Sequence, residues 1–193
     1  MSEREDAIAA AISSLASARR DQREAAALSI FRIACDTAEP LVRAWSQDPE
    51  FARLISAPIF TAGLAVEPGR FAAIRSANGS PRLADVPPEQ DALEFHVHVG
   101  VEARIEVLTT RDASGDGAIA RFLRKFGSNI QHTEIATSDV DRATEILKSR
   151  FALQPIYPQA RPGADRARIN FFLVDAAQGK KILIELEEEA RRS

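Results

Sequence analysis

The sequence predicts an α+β fold, in which a helical N-terminal extension precedes two related modules of strands and helices. Three observations predict it. The composition changes near residue 58, from text rich in Ala, Leu, Arg and Glu to short alternating apolar runs punctuated by Gly and Pro. Those runs give the order strand, helix, strands twice, over about 59–110 and again over about 129–188. Both halves also close on a strand carrying one acid, Glu106 in ARIEVL and Glu185 in ILIEL. Burying an unpaired carboxylate costs several kcal/mol or forces it to take up a proton. The repeat offers a reason for accepting that cost: two half-sheets facing each other place equivalent inward side chains around one shared cavity.

The elements follow in order. In the extension, residues 1–57, Ile8, Ile12 and Leu15 fall at helical spacing, as do Leu28, Phe31 and Cys35. Pro40 and the Asp48-Pro49 pair are expected to start fresh helices, because proline suits a first turn and breaks an interior. Two to four helices result, packed on the main domain or on a sister subunit. In the domain at 58–193, the strand IFTAGLAV ends at Glu67-Pro68-Gly69, and GRFAAIRSAN is a short helix stopped by Gly79. The strands ALEFHVHVGV and ARIEVLTT follow, then a helical connection in GDGAIARFLRKFG. The second module reads IQHTEIAT, a helix in SDVDRATEILKSRF with Ser138 or Asp139 as N-cap, and the strands RINFFLV and KKILIELE.

Bulk properties exclude several classes. Apolar residues at 45% and charged residues at 27% describe a soluble globular chain. A net charge of -3 and a pI near 5.7 give no electrostatic case for nucleic acid or an anionic membrane. One cysteine, Cys35, rules out an intramolecular disulfide framework and reads as a small apolar filler. The first thirty residues carry charges throughout and no signal-peptide core, and no run approaches the roughly 20 apolar residues of a membrane span. A cytoplasmic protein is the expectation.

Strand alternation sorts the residues able to do chemistry. Glu94, His96 and His98 share one face of ALEFHVHV, and His132 shares a face with Ile130 and Glu134. A histidine with carboxylates from separate strands is a ligand set for a divalent ion such as Co, Mn, Ni, Zn or Mg. A lone His or Glu on a strand is more often solvent-facing or hydrogen-bonded; the repeat adds weight by putting Glu106 and Glu185 at matching places.

From about residue 58 to 188 the text resembles the vicinal oxygen chelate (glyoxalase/dioxygenase-like) superfamily, and within it the methylmalonyl-CoA epimerases. VPPEQDALEF is similar to the stretch bearing one catalytic acid, matched by Glu94. ARIEVLTTRDASGDGAIARFLRKFGSNIQH is similar to the strand, linker helix and second-module start, with Glu106 at a metal position and His132 at the second-module histidine. RINFFLV and KKILIEL are similar to the last strands, with Glu185 at the closing metal-binding acid. The resemblance implies two βαβββ modules forming one cupped mixed sheet. It also implies a divalent metal held by Glu106, His132 and Glu185, and catalysis by Glu94 and Glu185. The expected reaction is α-proton transfer at a metal-chelated acyl thioester, with an acyl-CoA as small-molecule substrate. Edge strands and the added helices make a homodimer plausible.

One position departs from the pattern. Thr61 in TAGLAV stands where the first strand normally carries a metal-binding histidine. Three readings stay open: His96 completes the shell, three protein ligands suffice, or no catalytic metal binds. Two other functions stay open as well. One is a degenerate, non-catalytic member serving as a small-molecule-binding or dimeric interaction module. The other is a different lyase or dioxygenase of the superfamily, using His132, His96 and a glutamate.

Overall fold

The computed structural model describes residues 3–101, 103–176 and 181–190, with the backbone alone for 56–59. Helices α1 (Glu3–Ser14), α2 (Arg20–Trp45) and α3 (Pro49–Leu54) lead into β1 (Ile55–Ala65), α4 (Pro68–Ala77), β2 (Ala92–Val99) and β3 (Ala103–Thr110). Then come α5 (Ala118–Phe126), β4 (Asn129–Thr137), α6 (Val140–Phe151), β5 (Arg161–Pro162), β6 (Arg168–Asp175) and β7 (Lys181–Glu188). The strands form one mixed seven-stranded sheet in the order β2-β3-β1-β4-β7-β6-β5. The α+β class and the twofold module plan therefore hold. Lys180, which begins the last sequence run, lies outside the described residues.

One expectation needs correction. Pro40 does not start a helix; it lies inside the continuous α2. A proline there removes one backbone hydrogen bond and crowds the preceding turn, but Ala34, Ala38, Val42 and Trp45 on either side are all buried, and that packing carries the helix through. The βαβββ pattern is complete only in the second module, where β5 has just two residues. After α4 the first module shows two strands among the described residues. Its intervening segment contains Pro81, Pro87 and Pro88, which have no N–H to donate, and its Ala84 N–H donates to Glu94 O at 3.0 Å.

The chain divides into two compact units, Met1–Ile33 with Ala62–Gln131, and Ala34–Thr61 with His132–Ser193. In the first, residues opposite one another in register share a face. Ala62 and Leu64 of β1, Phe95 of β2, and Ile105 and Val107 of β3 make an apolar face. Phe71 of α4 packs edge-on against Phe95 with centroids 4.9 Å apart. α1 buries Ile8 and Ile12, and the Asn78 amide just past α4 donates to the Leu15 carbonyl at 3.0 Å. Gly79 turns the chain there with φ +80°, a conformation that costs glycine little.

In the second unit, α6 lies on an apolar sheet face made by Ile135, Phe172, Val174, Ile184 and Leu186. Trp45 of α2 and Phe51 of α3 belong to the same core and meet edge-to-face at 6.1 Å. Each such side chain contributes about 1.5–3 kcal/mol on burial. Asp139 caps α6 by accepting from the Arg142 amide at 2.9 Å, and Asp48 caps α3. Arg142 and Arg150 of α6 each reach Glu50 of α3 at 2.6 Å. Cys35 of α2 is half-buried, and burial, aided by Asp36 and Glu39, pushes its thiol up to about 11, as suits an unreactive filler.

Candidate metal centre

The opposite faces of these strands carry the polar groups. In β7, Ile184 and Leu186 enter the α6 core, so strand alternation turns Glu185 to the other side. Parallel pairing sets Glu134 of β4 directly across from Glu185, and antiparallel pairing sets Phe171 of β6 across from it on the far side. His132, two residues before Glu134, shares that face. His132, Glu134 and Glu185 are all buried, at 5%, 3% and 7% exposure. The His132 Nε2 lies 3.1 Å from the Glu185 Oε2, and the Phe171 ring stands edge-on to the imidazole with centroids 6.1 Å apart. The Thr61 hydroxyl donates to Glu134 Oε1 at 3.0 Å.

The first module repeats the plan with other side chains. β1 and β3 run parallel with Gly63 across from Glu106. β2 and β3 run antiparallel with His96 across from Glu106 and Glu94 across from Leu108. Glu94 and Glu106 are buried, His96 is partly buried, and His98 is exposed.

Glu106, His132 and Glu185 form a buried group able to hold a metal ion: each offers one ligand atom, and these atoms lie within 4.8 Å of one another. One imidazole and two carboxylates from separate strands suit a divalent cation. The donor set therefore fits the implied metal. Glu94 and His96 stand outside this trio.

Sequence reasoning placed Glu134 on the His132 face but gave it no role. Its position beside Glu185 and its bond to Thr61 depend on strand pairing, which no local pattern reveals. The available signal was an acid two residues beyond His132 in HTEIAT, where the matching place in the first module holds Gly63.

No protein-family model matches the chain, and no curated protein matches it. Solved structures do. Methylmalonyl-CoA epimerase from Mycobacterium tuberculosis is similar at 30% identity and a TM-score of 0.57, over 71% of this chain and 90% of that one. The chain belongs to the vicinal oxygen chelate superfamily. Two further structures support the same fold for this superfamily member. One is a methylmalonyl-CoA epimerase in complex with methylmalonyl-CoA and NH4+, at 22% identity and TM-score 0.56, over 72% of this chain and 96% of that one. The other is a hypothetical protein from Bacillus halodurans, at 23% identity and TM-score 0.57, over 70% and 96%. Among the described residues of this superfamily member, no helix is long and apolar enough to cross a membrane.

Proposed function

We propose that the chain is a metal-dependent isomerase of the methylmalonyl-CoA epimerase type, which transfers a proton at the α-carbon of an acyl thioester. The observation that carries this reading is the buried Glu106, His132 and Glu185 group in a chain 30% identical to such an epimerase. These three residues hold the ion in this reading, with His96, across from Glu106 on the same face, as the candidate for a fourth protein ligand. A bound divalent ion supplies Lewis acidity toward the substrate's carbonyl oxygens.

Glu94 and Glu185 are the two proton-transfer acids. One carboxylate takes the α-proton and the other returns one, which inverts the carbon centre. Both are buried, so bulk water competes little for the proton. His132, 3.1 Å from Glu185 and braced by the Phe171 edge, fixes the orientation of that carboxylate. The domain at 58–193 carries the activity, the helices of 1–57 act as scaffold, and the protein works in the cytoplasm as a homodimer.

Elemental analysis of the purified protein, followed by solvent deuterium exchange into 2-methylmalonyl-CoA, tests the proposal. A stoichiometric divalent metal with metal-dependent exchange at the α-carbon supports it. Metal without exchange into any α-acidic thioester overturns it in favour of a ligand-binding module. Thr61 favours that second reading, since it stands at the first-module counterpart of His132 and its hydroxyl is directed to Glu134.

A further inference from the structure

We propose that Arg161, stacked on Tyr157 at the edge of the sheet, binds a phosphate group of the thioester carrier. This rests on the acyl-thioester reading above and extends it from the acyl group to the carrier.

Strand register carries the position. Arg161 of β5 lies across from Ile169 of β6, and Phe171, two residues further along β6, lies across from Glu185 of β7. Residues opposite one another, or two apart on one strand, share a face. Arg161 therefore stands on the face that carries Glu185. β5 ends the sheet order, so this residue marks the border of that face. Ring contacts trace the same path. The His132 imidazole meets Phe171 at 6.1 Å, Phe171 meets Tyr157 at 6.2 Å, and the Arg161 guanidinium lies 4.6 Å above the centre of the Tyr157 ring.

Tyr157 is itself fixed. Asn170 is fully buried, and its side chain holds the Tyr157 backbone at two points. Its Nδ2 donates to the Tyr157 carbonyl at 3.2 Å, and its Oδ1 accepts from the Tyr157 amide at 3.4 Å. Ile156 N–H donates to Phe171 O at 2.7 Å, which keeps the segment alongside β6. An asparagine costs more to bury than the apolar residues around it; here it secures the ring on which Arg161 rests.

The charge is available. Among the described residues Arg161 makes no ion pair, whereas Arg142, Arg150 and Arg168 each reach a carboxylate. Glu187 shares its row of the sheet, one strand beyond Ile169, and is not joined to it. A guanidinium stacked on a ring keeps its fork of N–H donors in plane and open to phosphate. Two strand spacings, roughly 10 Å, separate it from Glu185, too far for the acyl group's own carboxylate. A phosphate beyond the pantetheine arm fits that separation.

The test is calorimetric titration of the full-length protein with the methylmalonyl thioesters of CoA, of phosphopantetheine and of pantetheine, which has no phosphate. Wild type is expected to bind the CoA thioester about tenfold more tightly than the pantetheine thioester, and the margin shrinks in about 1 M salt. Arg161→Gln removes that margin and leaves affinity for the pantetheine thioester unchanged, while Tyr157→Phe, which keeps the ring, preserves it. Phosphopantetheine behaving as CoA does assigns the contact to the phosphate on the arm; behaving as pantetheine does assigns it to the nucleotide end. Arg161→Gln that keeps the full margin, or that loses affinity for all three thioesters alike, overturns the inference. An Arg161-dependent margin in a protein that exchanges no α-proton upholds this site and overturns the epimerase reading, and exchange without any margin in wild type does the reverse. A wild type that binds none of the three overturns both.

Discussion

The two modules share a register and differ in chemistry. β1 with β3 and β4 with β7 are both parallel pairs, with an acid of the closing strand set across from the third residue of a matching triplet, Thr61-Ala62-Gly63 or His132-Thr133-Glu134. Helices α4 and α6 each cover the apolar face behind those acids, through Phe71 on Phe95 and through the Ile146 and Leu147 core. The backbone plan and the core are therefore repeated, while the polar face is not. Packing demands only the right period and volume, which many residues satisfy. A metal or proton-transfer site demands particular atoms at particular places, so the two modules can contribute different side chains to it while sharing one scaffold.

The strongest way to break this comparison is Glu185→Gln. It removes a proposed metal ligand and a proposed proton-transfer acid together, so bound metal should fall to background and α-exchange should drop by roughly 10⁴-fold. Retention of full metal content would end the assignment. Glu94→Gln sharpens the contrast, because this acid lies in the first module and outside the metal group. Exchange should fall roughly 10²–10⁴-fold while elemental analysis still finds the ion.

Next in size are the cores. Phe95 and Phe172 are both fully buried. Either Phe→Ala change should cost about 3–5 kcal/mol in urea denaturation, and a cost below 1 kcal/mol at one of them would show that the repeat does not extend to packing. The helix caps differ more subtly. Asp139 accepts from the α6 backbone, whereas Glu67 at the matching place before α4 makes no side-chain cap bond. Asp139→Ala should therefore cost about 1 kcal/mol, with Glu67→Ala close to neutral.

The smallest expected effect is acid lability of the α3–α6 contact. Arg142 and then Arg150 hold the Glu50 carboxyl at about 2, below its ordinary 4.5. A depressed folded value means the contribution is complete above the unfolded value and is lost as pH falls from 4.5 toward about 2. Glu50→Gln should therefore be slightly less stable than wild type near neutrality, and the gap should close as pH falls through that window. An unchanged slope in acid would show that the contact adds nothing.

Much of this was legible in the chain. Alternation in ILIEL and HTEIAT correctly separated core from polar face, because a strand's period of two leaves no other choice once one face is apolar. Gly79 and Gly127 ended helices as read, and Asp139 proved the α6 cap. Pro40 was misread because a local rule was set against tertiary packing, and packing prevailed. The Thr61–Glu134 bond joins residues 73 positions apart, a separation that no local pattern spans.

The linear order of residues settled the periodicities, the repeated module and the kinds of atom available, since each follows from neighbours a few positions away. Which of those atoms meet was decided only by strand pairing. Register is a long-range choice, made when whole apolar faces are buried together, and it set Glu185 beside Glu134 and within 3.1 Å of His132.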